Sequence, residues 1–322
     1  EEAQVSASFA GCYETTLGVR EADLEQALRR CVASSLDERV LVYRQQHGVD
    51  VLSPRLAVIV QQQIASEVAG VGFSLNPLTN DYDEAVIDAN WGLGESVVAG
   101  LASPDHFVVD KASGALVEKA LGTKQVSIWL DRGGGTVRRD GYHTADQSLN
   151  EAQLGELTRM LCRIEELYGR PMDIEWAWAD QRLHVLQARP ITTWVPLPPE
   201  MMTRPGERRR LYADSALSQG LVMSEPISPL GLAWLSEMLY VPLLKGLIGI
   251  EDFTPAGGLM FAAGCRFYMN VSNLMWLGMT PKAMAKNNAR FDTLLADTLA
   301  SLDPTQYRAA QRPPWVRFRL VL

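Results

Sequence analysis

The sequence predicts an α+β fold followed by a mostly helical region, and three observations carry that prediction. Short segments of β-favouring residues recur between Val71 and Arg189, too many for a helical bundle. Residues 21–46 and the stretch from Leu154 to Tyr168 repeat their apolar residues at helical spacing. Pro196, Pro198, Pro199 and Pro205, then Arg208-Arg209-Arg210, mark a change of composition that reads as a linker. The 322 residues accommodate two domains, with expected bounds 1–195, a linker at 196–210, and 211–322.

In residues 21–46, Leu24, Ala27, Leu28, Cys31 and Val32 fall on one helical stripe, so Cys31 reads as core. The continuous apolar run Leu56–Val60 predicts a strand buried on both faces. Strand-like segments follow at Val71–Leu75, Glu84–Ala89, His106–Lys111, Leu116–Leu121 and Val126–Leu130. Gly133-Gly134-Gly135 lacks the Lys-Ser/Thr ending of a phosphate loop and reads as a hairpin turn. Leu154, Leu157, Leu161, Ile164 and Tyr168 mark one face of a helix, and strands at Asp173–Ala179 and Leu183–Arg189 close the region. Past the linker, helical patterning returns at Leu230–Leu239 and Ala283–Leu299.

A formal net charge of −8 argues against nucleic-acid or membrane-surface partners. Cys12, Cys31, Cys162 and Cys265 have no metal-ligand or disulfide spacing, which fits a reducing cytoplasm. The most apolar stretch, Met238–Ile250, is interrupted by Pro242 and Lys245 and is too short to span a bilayer. Glu1-Glu2 at one end and the apolar Leu320-Val321-Leu322 at the other read as cut ends.

Four segments place polar residues where a bland core would not. Ser8-Phe9-Ala10-Gly11-Cys12-Tyr13-Glu14-Thr15 is a small-residue loop before a helix, suited to close approach of a phosphate and equally to an ordinary turn. Gln61-Gln62-Gln63-Ile64, with Glu67 beyond, follows the predicted buried strand. Trp91-Gly92-Leu93-Gly94-Glu95 and Ser103-Pro104-Asp105 form the third segment. The fourth is Asp173-Ile174-Glu175-Trp176 with Gln187-Ala188-Arg189-Pro190. It offers two carboxylates, an amide and an arginine, the groups that hold magnesium and phosphoryl oxygens, though a hairpin with a merely polar outer face has the same composition.

In order and spacing over about residues 6–195, these segments resemble the ATP-binding domain shared by pyruvate phosphate dikinase, phosphoenolpyruvate synthase and rifampin phosphotransferase. The resemblance implies an ATP-grasp fold that is N-terminally incomplete, with ATP and Mg2+ as cofactors. It implies Gly11 and Thr15 at the phosphates, and Gln61, Gln62, Gln63 and Ile64 at the adenine with Glu67 beside them. Glu175 and Gln187 would hold magnesium, while Gln187 and Arg189 would contact the transferring phosphates. Cys12 stands where the family has Gln, and Gln63 where it has an aliphatic residue or Met. The family's subdomain with a phosphate-binding Lys and Arg would lie before Glu1. None of His47, His106, His143 or His184 has the context of the carrier histidine, and His106 and His184 read as structural.

Residues 211–290, through Met223–Gly231 and Arg266–Asn270, resemble the middle domain of rifampin phosphotransferase. The implied activity is dikinase chemistry: ATP to a carrier histidine to a small organic acceptor, yielding AMP and phosphate. The acceptor would be pyruvate or a rifamycin-like hydroxyl, and the carrier domain would be absent here or on a separate chain. The competing expectations are a non-catalytic nucleotide-binding subunit and an inactive fragment.

Parity also predicts a register. If Glu175 lies opposite Gln187, then Asp173 faces Arg189 and all four share one side of the sheet. The same pairing sets Ile174 against Ala188, Trp176 against Leu186 and Trp178 against His184, and needs a turn centred on Gln181 or a compensating bulge.

Overall fold

The structure, a computed structural model, describes residues 13–48, 56–194, 196–203, 206–214, 227–290, 293–309, 311 and 313. It divides into two compact units between Trp194 and Val195.

The first unit contains strands β1 (Val68–Phe73), β2 (Glu84–Trp91), β3 (Asp105–Asp110), β4 (Leu116–Ala120), β5 (Val126–Leu130), β6 (Thr136–Asp140), β7 (Met172–Ala179) and β8 (Arg182–Pro190). Its helices are α1 (Leu24–Ala33), α2 (Glu38–Gln46), α3 (Glu95–Val98) and α4 (Glu151–Tyr168). Six strands form one antiparallel sheet in the order β4-β3-β2-β1-β7-β8, and β5 and β6 form a separate hairpin. The turn of that hairpin holds Gly133–Gly135, as the glycines predicted.

One face of the six-stranded sheet packs on α4. Val68, Ala85, Ile87, Ala89, Phe107, Ile174, Trp176 and Trp178 all project from it and pack on Leu154, Leu157 and Leu161 of α4. Helix α4 starts at a capping box: Asn150 accepts from the Gln153 backbone N–H while the Gln153 side chain accepts from that of Asn150. It ends at Gly169 in the left-handed region. Asp88, His106, Asp173 and Glu175 project from the opposite face.

The position of α4 depends on Asp105, whose carboxylate is fully buried. Its Oδ1 accepts from Lys124 Nζ at 2.5 Å and from the Gly122 backbone at 3.0 Å. Its Oδ2 accepts from the backbone and hydroxyl of Ser148, just before α4. A Cβ on Gly122 would lie 2.1 Å from the carbonyl oxygens of Ser103 and Pro104, so only glycine permits this approach. The Ser103-Pro104-Asp105 segment is therefore a structural clamp. Gly92 is structural in the same way: its φ is 78°, and a Cβ there would meet Ile128 O at 2.2 Å, where β2 crosses to β5.

Two expectations fail in this unit. Leu56–Val60 is no buried strand; its backbone joins no ladder among the described residues, and Ile59 is 84% exposed. An apolar run becomes a strand only where neighbours supply backbone partners. On α1, Ala27 is the buried residue, Val32 is half exposed, and Cys31 is half buried, with its thiol 3.3 Å from the Glu14 carbonyl.

The second unit holds β9 (Tyr212–Asp214), β10 (Met260–Ala263) and β11 (Arg266–Asn270) in a three-stranded antiparallel sheet of order β10-β11-β9. Helices α5 (Pro229–Leu235), α6 (Val241–Ile248), α7 (Val271–Leu274), α8 (Pro281–Asn288), α9 (Thr293–Ser301) and α10 (Pro304–Tyr307) surround it, with a π-helical turn at Ser236–Tyr240 between α5 and α6. No helix among the described residues is long and apolar enough to cross a membrane.

Removing one partner of the Asp105–Lys124 pair would strand a buried charge, at a cost of about 3–5 kcal/mol. Lys124→Met is expected to lower stability by that amount in urea denaturation, and the double change with Asp105→Asn to recover part of the loss.

Candidate functional site

The hairpin of β7 and β8 carries the site. Its turn, Asp180-Gln181, has φ of 49° and 58°, the two left-handed residues of a tight hairpin connection. A two-residue turn imposes one parity, and the apolar pattern of β8 needs two. Leu183 and Val185 suit the core, yet Gln187 and Arg189 share their parity and must face away. A β-bulge settles the conflict. Asp173 lies opposite Arg189, Ile174 opposite Ala188 and Glu175 opposite Gln187; then the register shifts, with Leu186 as the extra residue. The predicted pairs at the site form. The predicted pairing of Trp176 with Leu186 and Trp178 with His184 does not: Trp176 faces Val185 and Trp178 faces Leu183, since the bulge lies inside β8 and not at the turn.

Asp173, Glu175, Gln187 and Arg189 thus share the face away from α4. Burial pushes both carboxyls above their ordinary values, more than the Arg189 guanidinium pulls them down; for Glu175 the neighbouring Asp173 charge adds to the rise. Among the described residues, Arg189 closes no ion pair.

The bulge also reaches the Gln61–Ile64 segment. Gln61 Nε2 donates to the Leu186 carbonyl at 3.1 Å, across 125 residues of sequence, tying the segment to the edge of β8 beside Gln187. Gln62 and Gln63 are exposed and Ile64 is half buried. Glu67 is exposed, and its backbone bridges β7 and Gly92 by bonds to Trp178 and Gly92. Thr15 is exposed at the start of the described chain, and Gly11 lies outside the described residues. The structure therefore brings together Glu175, Gln187, Arg189 and Gln61; no bond joins Thr15 to them.

Sequence reasoning took His106 as structural and passed over its partner on this face. Asp88 and His106 face each other across β2 and β3, with Asp88 Oδ1 2.7 Å from His106 Nδ1. The available signal was a charged residue in the middle of the apolar strand Ala85-Val86-Ile87-Asp88-Ala89.

No cluster of three His, Cys, Asp or Glu side chains suited to a metal occurs among the described residues. Glu175 with the opposing Gln187 amide offers a small set of oxygens, which fits a hard cation that keeps waters and takes its remaining ligands from phosphate.

The family model for the pyruvate phosphate dikinase AMP/ATP-binding domain matches residues 1–207. The chain belongs to that family. It is 40% identical over 190 residues, 58% of its length, to a probable phosphoenolpyruvate synthase of Methanocaldococcus jannaschii, covering 16% of that protein. It is 31% identical over 299 residues, 92% of its length, to rifampicin phosphotransferase of Bacillus subtilis, covering 32% of it. The corresponding protein of Bacillus cereus is 33% identical over 258 residues, 79% of this chain and 28% of that one. The chain spans about a third or less of the length of these relatives.

The raised Glu175 carboxyl gives a pH test. The folded state holds this proton more tightly than the unfolded chain, so stability falls as pH rises above the ordinary value of 4.5. Glu175→Gln removes that titration. Its melting temperature is expected to match the parent's at about pH 4 and to exceed it at about pH 7; a lower value at neutral pH would contradict a burial-dominated shift.

Proposed function

We propose that the first unit binds Mg-ATP on the face of the sheet that α4 leaves free, as the nucleotide-binding part of a dikinase-type phosphotransferase with an ATP-grasp architecture. The observation that carries this reading is the set Asp173, Glu175, Gln187 and Arg189, paired on one face within the span matched by the AMP/ATP-binding family. Glu175 and Gln187 would hold Mg2+, which neutralises phosphate charge when bound. Arg189 supplies a fixed positive charge to the transferring phosphate, and half-burial strengthens that interaction. Gln61, Gln62, Gln63 and Ile64 line the adenine end, where Gln61 anchors the segment to β8. Glu67 lies beside them, and Gly11 and Thr15 serve the phosphates from the preceding loop. The phosphate passes to a carrier histidine, a role that none of His47, His106, His143 and His184 fills, and then to an organic acceptor, with release of AMP and phosphate.

A second observation bears on the acceptor. The match to rifampicin phosphotransferase covers 92% of the chain and so reaches into the second unit. That unit contains a cavity of about 450 Å³ with Val241, Leu244, Phe253, Met260 and Phe267 among its walls and Glu237 and Lys245 on its lining. A volume of that order suits a drug-sized organic molecule and far exceeds the needs of a three-carbon acid. The bulky, hydroxyl-bearing acceptor is therefore favoured over pyruvate. A non-catalytic nucleotide-binding subunit is the alternative reading.

Calorimetry with Mg-ATP is expected to show binding that weakens about tenfold or more in Glu175→Gln, from loss of one anionic ligand to a hard cation. Unchanged affinity would remove Glu175 from the metal. Incubation with γ- and β-labelled ATP is expected to leave His47, His106, His143 and His184 unlabelled, and a stable phosphohistidine at any of them would overturn that assignment.

A further inference from the structure

The cavity of the second unit has an apolar floor and a charged mouth. Among its walls Leu244, Phe261 and Phe267 are buried, and Phe253 and Met260 are half buried. Glu237, Lys245 and Glu251 on its lining are exposed and so mark the opening. The loop that carries Phe253 is fixed in place. Asn270 Nδ2 donates to the Pro255 carbonyl at 2.7 Å, and Asn273 Nδ2 donates to the Gly258 carbonyl at 2.7 Å. The backbone and hydroxyl of Thr254 both donate to Asp252 Oδ1. A wall held in this way needs little reordering when an apolar body enters.

The charges at the mouth are not equally engaged. Lys245 Nζ lies 3.6 Å from Glu251 Oε1. Glu237, on the π-helical turn, has no hydrogen bond or ion pair among the described residues. The lining therefore sets two carboxylates against one ammonium, and Glu237 is the carboxylate left without a counter-ion. Aromatic walls act in the same sense, since ring faces attract cations.

We propose that this cavity takes an amphiphilic organic cation, its apolar body on the floor formed by Leu244 and Phe267 and its protonated amine held at the mouth by Glu237. This selection rests on the reading of the cavity as the acceptor's site, and it adds a positive charge to the bulky, hydroxyl-bearing molecule favoured there. An exposed ion pair discriminates only weakly in water. A ligand whose apolar body displaces water beside Glu237 lowers the local dielectric and strengthens the pair. A neutral molecule of the same shape gains the floor without the pair, and an anionic one meets Glu237 with the wrong sign.

The test is fluorescence titration of this chain, at neutral pH and low salt, with dansyl probes that share one apolar body. They are dansylcadaverine, which is cationic, N-pentyl dansylamide, which is neutral, and dansyl-aminocaproate, which is anionic. The parent is expected to bind the cationic probe about fivefold more tightly than the neutral one, with the anionic probe weakest. Glu237→Gln is expected to bring the cationic and neutral probes within about twofold of each other. Lys245→Met, which frees Glu251, is expected to widen the parent's ratio, and high salt to narrow it. Both positions are exposed, so neither change disturbs the core. Equal binding of the cationic and neutral probes by the parent, or a ratio unchanged in Glu237→Gln, would overturn the charge selection while leaving the cavity as an organic site. Tightest binding of the anionic probe would give the mouth to Lys245 and overturn the selection as well. A parent that binds none of the probes would overturn both the selection and the reading of the cavity as the acceptor's site.

Discussion

Asp105 has four hydrogen bonds to its two carboxylate oxygens and no contact with solvent. It joins the start of β3, the loop holding Gly122 and Lys124, and the Ser148 turn that leads into α4. Desolvating a carboxylate and an ammonium is costly, and the pair persists because every remaining lone pair is satisfied. This clamp sets the placement of α4 against one side of the sheet. Once Leu154, Leu157 and Leu161 cover that side, Asp173, Glu175, Gln187, Arg189, Asp88 and His106 lie on the opposite one. A buried ion pair thus acts on the site without touching it.

The bulge at Leu186 is the second device. A regular two-residue hairpin would have placed Leu183 and Val185 on the same face as Gln187 and Arg189, exposing apolar side chains or burying polar ones. One extra residue lets both halves of β8 face correctly. It also frees the Leu186 carbonyl from the ladder, and Gln61 takes it. The link between the glutamine segment and the carboxylate pair is therefore a by-product of resolving a parity conflict.

The electrostatics of the pair are set by where it sits. Two half-buried carboxyls next to each other, with one arginine to share, resist ionisation, and burial is the larger cause for both. Such a site stores an unmet demand for positive charge, which a divalent cation or the guanidinium answers more effectively than bulk water. In the second unit, the π-helical turn contributes Ser236 and Glu237 to the lining of the cavity, whose walls are otherwise mostly apolar with Lys245 and Glu251 as further charged groups.

The β-favouring segments at β2, β3, β4 and β5, the helical stripe of α4 and the glycine turn of the β5–β6 hairpin were legible in the sequence because each is a local pattern. So was the pairing of Glu175 with Gln187, since parity and one buried face admit few alternatives. Three things depended on residues distant in the chain. Leu56–Val60 looked like a buried strand, and only the absence of a backbone neighbour among the described residues shows otherwise. The Pro-Asp segment looked like part of a site, and Lys124 and Ser148, far along the chain, make Asp105 a clamp. His106 read as structural and Asp88 drew no reading, until the sheet order β3-β2-β1-β7 set them in line with Glu175. Sequence specifies which side of its own strand a residue occupies; which strands become neighbours is decided by long-range packing, and that order determines which side chains form a site.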